Sequence, residues 1–136
     1  MKIVTFWRVV FAVIFIGVTW LTLTPNPHDT KSSLAIARFI AEVLFHDQQF
    51  GDKVAHFLAY AMLGGAAAFA GFRIADRRVP VIVALAAYGA LLEFLQGIGG
   101  VRVADLADAA ANASGALVVY PAALAIEQTL ARLRAA

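Results

Sequence analysis

Apolar stretches about as long as a bilayer is thick constrain this chain more than any other feature. A helix rises about 1.5 Å per residue, so roughly 20 apolar residues cross the hydrocarbon. Four stretches meet or approach that length: residues 3–23, 54–74, 79–98 and 106–126. Composition agrees. Hydrophobic residues make up 62% and charged ones 15% of the chain, against about half and a quarter in soluble domains, and mean hydropathy is +0.79. The 136 residues leave room for one domain. The expected fold class is all-α: an integral membrane bundle of four transmembrane helices plus one outer interfacial amphipathic helix. With no cysteine, disulfides and thiolate metal sites are excluded.

Lys2 and Arg8 would suit the basic start of a signal peptide, but the run into TWLTLTP lacks a small-x-small cleavage site and meets Pro25 and Pro27. The first stretch therefore reads as a retained span, with Arg8 near enough to its end to snorkel. Lysine and arginine set direction. Lys2 and Arg8, then Arg73, Arg77 and Arg78, then Arg132 and Arg134 fall on one side if there are four spans. That side is cytoplasmic, as are both termini. Lys31, Arg38 and Lys53 in the long outer loop blur the bias. Within that loop, SSLAIARFIAEVLF places Ile36, Phe39, Ile40, Val43 and Leu44 on one helical face and Arg38 and Glu42 on another. Such a helix lies on the outer leaflet or packs on top of the bundle.

Ionisable groups inside spans are costly unless paired, hydrated or used. Residues three and four apart share a helix face. Asp52, His56, Tyr60, Gly64 and Ala68 follow one another in the second span. Ala86, Ala90, Glu93 and Gly97 lie close to one face of the third, with Gln96 beside them. Asp105, Asp108, Asn112 and Gly115 form a stripe in the fourth. Each polar stripe continues into small residues, which let membrane helices approach closely. The stripes should thus face one another at the outer side of the bundle.

The pattern D52-K-x-x-H56-F-x-x-Y60, E93-x-x-Q96 and R102-x-x-D105-x-x-D108-x-x-x-N112-x-x-G115 resembles the VanZ-like family of small multi-pass membrane proteins. The resemblance covers about residues 52–120. Members often carry an aromatic and a proline before the arginine, where this chain has Gly99, Gly100 and Val101. The namesake confers resistance to the lipoglycopeptide teicoplanin. The resemblance implies a bacterial inner-membrane, cell-envelope setting and weight on these positions. It supplies no reaction.

Each residue has a plain role beside a functional one. Asp52 and Asp105 suit helix N-caps, with Asp108 at the third helical position. Lys53 and Arg102 could pair with Glu93, Asp105 or Asp108 in a structural lock. His56, one turn from Asp52, could carry a proton or simply bond Asn112 or Glu93. Tyr60 and Asn112 read as interhelical hydrogen-bond partners. Counting Asp52, Glu93, Asp105 and Asp108 against Lys53 and Arg102 leaves two surplus negative charges. Raised carboxylate pKa values, water, or a hard divalent cation on Glu93, Asp105 and Asp108 with His56 would each relieve them. No established metal spacing such as H-E-x-x-H occurs, and no cofactor is expected.

Three functions stay open. The chain could bind a membrane lipid, a lipid-linked cell-wall precursor or a lipoglycopeptide through Lys53 and Arg102, with Asp52, Tyr60, Gln96, Asp105 and Asn112 lining the pocket. It could be an enzyme on such a head group, with His56, Glu93 or Asp108 as acid or base. It could be purely structural. A homodimer would need a second small-residue face, marked by Gly17 or Gly71. No nucleic-acid partner is expected.

Overall fold

The computed structural model of the chain describes residues 2–24, 34–100 and 105–135. Its elements are α1 (Lys2–Leu23), α2 (Ala35–Phe45), a 3-10 turn (Gln48–Phe50), α3 (Gly51–Phe69), α4 (Val79–Ile98) and α5 (Leu106–Ala135). Among the described residues, three segments are long and apolar enough to cross a membrane: Ile3–Leu23, Val79–Ile98 and Leu106–Leu133. The expected second span, α3, is not among them. The helix has only 19 residues, and Asp52, Lys53 and His56 in its first turns offset the apolar remainder. Nine of its residues, including Gly64, Ala66, Ala67 and Ala68, are buried against other helices, so its small side chains serve packing rather than lipid solvation.

Direction follows from the contacts. Trp7 stacks on Phe69 and Phe11 meets Phe72 edge-on, whereas Phe15 stacks on Tyr88 and the Thr19 hydroxyl lies 2.5 Å from that of Tyr88. So α1 runs antiparallel to α3 and parallel to α4. Between α3 and α5 the order is the same in both helices. Lys53 meets Asp105, a Cβ on Gly115 would lie 2.2 Å from the Phe57 carbonyl oxygen, and Gly64 faces Ala116. These two helices therefore lie parallel, in close contact through glycine. The antiparallel α4 packs on both, joined to the far part of α5 by Arg78 Nη1 donating to Glu127 Oε2 at 2.6 Å. One core runs between the three, from Tyr60, Leu63 and Ala67 to Leu85, Ala116 and Tyr120.

Several boundaries and faces differ from expectation. The apolar pattern suggests that α3 reaches residue 74, but the helix stops at Phe69. Gly71 sits at φ +67. Its N–H donates to Ala68 O at 3.0 Å, and the Phe72 N–H donates to Ala67 O at 3.3 Å. This is a Schellman stop, with glycine where the left-handed backbone needs it. Gly71 thus has a local role in ending the helix. The chain then reverses through Ala75 and Asp76, both at positive φ, with Ile74 and Arg77 exchanging backbone hydrogen bonds. Pro80 falls in the first turn of α4, where its missing N–H breaks no helical bond. Conversely, α5 does not end near residue 126 but continues through Pro121 to Ala135, about 45 Å in all.

The buried face of α4 is Leu85, Gly89, Leu92, Glu93 and Gln96, not the one through Ala86, Ala90 and Gly97. Ala90 and Gly97 are exposed. The helix rotates so that Gly89, rather than the larger alanine, meets α5. A Cβ there would lie 2.8 Å from Asn112 Cβ and 3.1 Å from Tyr60 Cζ. In α2 the small residues do the packing: Ala37 and Ala41 bury against Val54 of α3, and Gly51 makes room for Arg38. The outward face carries exposed Ile36, Phe39, Val43 and Leu44.

Candidate functional site

The parallel pairing of α3 with α5 brings their N-terminal turns to one end of the bundle, and the antiparallel α4 delivers its C-terminal turn there. Lys53 projects from the first turn of α3 between two carboxylates of α5. Its Nζ lies 2.5 Å from Asp105 Oδ2 and 2.8 Å from Asp108 Oδ1. Asp108 is fully buried, with 1% of its side chain exposed, whereas Asp105 is 40% and Lys53 30% exposed. The ammonium thus reaches from the surface to a carboxylate that water does not.

Asp105 has a second task. Its Oδ1 accepts from the Ala107 N–H at 2.8 Å, which caps the start of α5 as Asp does well. Asp108 lies in that first turn, near the positive end of the helix dipole. Asp52 differs from its expected capping role. The cap position of α3 is Phe50, and Asp52 sits inside the first turn. The aspartate that caps locally is Asp47, which accepts from Gln49 N at 2.8 Å at the start of the 3-10 turn.

His56, one turn further along α3, stands between all three helices. Its Nδ1 is 3.0 Å from Asn112 Oδ1 and 3.7 Å from Glu93 Oε1. Its Nε2 is 3.6 Å from Asp108 Oδ2. The hydrogen bond to Asn112 is the plain role the spacing allowed. Beside the ring also stand the carboxylates of Glu93 and Asp108, where the spacing pointed to Asp52. Glu93, Gln96, Asp108 and Asn112 are all buried, so these groups meet in a low-dielectric setting where polar interactions are strong and unpaired groups costly.

His56, Glu93 and Asp108 each offer one ligand atom, all within 4.8 Å of one another. This is a different set from the expected Glu93, Asp105 and Asp108, because Asp105 turns to Lys53 and to the helix cap. A divalent ion held by the three would have to draw the ligands together to about 2 Å from the metal, beside the Lys53 ammonium that already meets Asp108.

Gln96, expected in the pocket, is tied instead to α1. Its Nε2 donates to Thr22 O at 2.5 Å, on the last turn of α1. The spacing of residues gave no sign of this fourth-helix contact. Tyr60 is buried one turn below His56 but its hydroxyl has no hydrogen-bond partner among the described residues, contrary to its expected interhelical role. Arg102, expected to hold a head group or pair with a carboxylate, lies outside the described residues. Gly89 is the position missed. It precedes Glu93 by four and Gln96 by seven, the spacing of one helix face, and that pattern could have found it.

At the other end of the bundle lie Arg8, Arg73, Arg77, Arg78 and Arg132, on α1, the α3–α4 turn and the C-terminal turns of α5. The acidic–histidine cluster and the basic residues are thus separated by the length of the bundle.

No curated protein and no solved structure matches the chain. A family model does: the one described as VanZ/LLP1 aligns with residues 6–127, from the first turns of α1 into the last third of α5, and on that span the chain belongs to the VanZ/LLP1 family.

Proposed function

We propose that the chain is a four-span inner-membrane protein whose polar end opens at the extracytoplasmic interface and binds an anionic, lipid-linked envelope molecule. In this reading α3 is the fourth span. Its 19 residues make about 28 Å, close to the ~30 Å of hydrocarbon. The basic end faces the cytoplasm with both termini. The outward apolar face of α2 rests in the outer leaflet beside the pocket, where a lipid tail would arrive.

The observation that carries the reading is Lys53. Two of the three ammonium donors meet Asp105 and Asp108. Among the described residues no partner takes the third, on a side chain still 30% exposed. A cation held in place by carboxylates is pre-organised to receive a phosphate or carboxylate head group, with less entropy lost on binding. Cell-wall precursors on lipid carriers and lipid-tailed glycopeptide antibiotics of the teicoplanin kind share that combination of chain and polar head.

A second reading has its own observation. Carboxylates of two helices flank His56 at 3.6 and 3.7 Å, an arrangement suited to accepting or delivering a proton. The chain would then modify the head group it binds.

The test uses the purified full-length protein in nanodiscs with a lipid-linked cell-wall precursor. Binding is measured for the parent, Lys53→Met and His56→Gln, and the precursor is assayed for chemical change. Binding reading: Lys53→Met weakens association about tenfold or more, as loss of a charge-assisted bond should, and the precursor is recovered intact. Turnover that His56→Gln abolishes while association stays at the parental level establishes the enzyme instead. If Lys53→Met binds like the parent, and nothing turns over, both readings fall and the cluster is a structural lock.

A further inference from the structure

The basic end of the bundle has a feature that the pocket at the polar end does not require. Between α1, α4 and the α3–α4 turn lies an open groove of about 410 Å³, within the ~300–1,000 Å³ range of small-molecule sites. Its walls are almost wholly apolar, formed by Phe11, Phe15, Phe72, Leu85 and Tyr88, with Arg73 at one edge. The rings are fixed by their own stacking, Phe11 on Phe72 at 4.9 Å and Phe15 on Tyr88 at 4.5 Å. Beside it lies a smaller cavity of about 250 Å³ lined by Arg73, Arg78, Glu127 and Gln128. Arg73 belongs to both.

An apolar slot and a polar recess that share one arginine match a molecule with a chain and an anionic head. The local charge favours an anion. Arg73, Arg77 and Arg78 face two nearby carboxylates, Asp76 and Glu127. Glu127 is already taken by Arg78 at 2.6 Å. Arg73 donates from Nη1 to the Asp76 carbonyl at 3.4 Å, which leaves most of its five donors for a ligand. Gln128 adds an amide to the same recess.

We propose that this end of the bundle holds one anionic phospholipid of the surrounding leaflet, its acyl chain in the groove and its phosphate on Arg73. The site is separate from the pocket around Lys53 and His56, and neither depends on the other. A leaflet rich in anionic lipid would supply the occupant, and a juxtamembrane arginine cluster is where such lipid gathers.

Native mass spectrometry of the full-length protein, titrated in detergent with phosphatidylglycerol and with phosphatidylcholine, tests this. The parent should bind one phosphatidylglycerol about tenfold more tightly than phosphatidylcholine, the factor expected from one charge-assisted phosphate contact. Arg73→Gln should erase that preference. Ala84→Phe fills the groove from an exposed position, so the fold is kept, and it should weaken both lipids. Inorganic phosphate at millimolar concentration should not displace phosphatidylglycerol, because it lacks the chain. The proposal is overturned if Arg73→Gln keeps the preference, if Ala84→Phe binds phosphatidylglycerol like the parent, or if inorganic phosphate alone displaces the lipid.

Discussion

Replacing Lys53 by methionine removes a charge while keeping most of the side chain's length. The structure says what this leaves behind. Asp105 is 40% exposed, so water takes over its solvation, and an exposed ion pair contributes only about 0.2–1 kcal/mol. Asp108 is 1% exposed, and a buried carboxylate deprived of a partner costs about 3–5 kcal/mol. At ~4 Å a pair contributes about 4 kcal/mol at an effective dielectric of ~20 and about 1 in water, and Lys53 spans these two regimes. Lys53→Met should therefore destabilise the bundle by about 3–5 kcal/mol, roughly two to three and a half powers of ten in the unfolding constant. Asp105→Asn should cost under about 1 kcal/mol, since asparagine still caps α5. Adding Asp108→Asn to Lys53→Met should recover about 2 kcal/mol, because neighbours in one network do not add. Reversible unfolding in mixed micelles, followed by far-ultraviolet circular dichroism, gives all three values. Equal losses for Lys53→Met and Asp105→Asn would refute the reasoning, since the burial of Asp108 would then have no energetic consequence.

Glycine substitutions should rank by the space each has. Gly115→Ala places a methyl 2.2 Å from the Phe57 carbonyl oxygen and should cost about 3 kcal/mol or more. Gly64→Ala, with contacts at 3.1 and 3.2 Å to Ala116, should cost less. Gly17→Ala meets nothing within 4 Å and should be neutral or gain up to about 1 kcal/mol from helix propensity. Gly71→Ala also meets nothing within 4 Å but sits at φ +67. It should lose about 1–2 kcal/mol from backbone strain alone. Gln96→Leu should loosen α1 from the bundle by removing its bond to Thr22 O, read as faster hydrogen exchange in the last turn of α1.

Much of the site was legible because helical spacing is periodic. Asp105, Asp108 and Asn112 lie on one face of α5, and Lys53 and His56 on the facing side of α3, as their separations of three and four require. The close approach of those helices was legible in Gly64 and Gly115. The rotation of α4 was not. Its sequence is apolar on every side, so alanine and glycine offered two candidate seams, and the choice fell to the fit of Gly89 against Asn112 and Tyr60. The end of α3 was hidden for a similar reason. An apolar run continues past Phe69 to Ile74, and only the left-handed Gly71 breaks it. The modest hydropathy of α3 comes from Asp52, Lys53 and His56 in its first turns, within the polar end of the bundle.

The convergence of α3, α4 and α5 at one polar end rests on that rotation of α4. The chain contains no native cysteine, so paired cysteines report on it without background. Gly89→Cys with Asn112→Cys should form a disulfide in membranes under mild oxidation, because a Cβ at residue 89 would lie 2.8 Å from Asn112 Cβ, so that a separation of the two helices by about 1 Å brings the pair to the ~3.5–4.5 Å that the bond needs. Ala90→Cys with Asn112→Cys should not cross-link, since residue 90 is exposed. The opposite result, with the pair at 90 bridged and the pair at 89 free, would turn Glu93 away from His56 and Asp108 and dissolve the site.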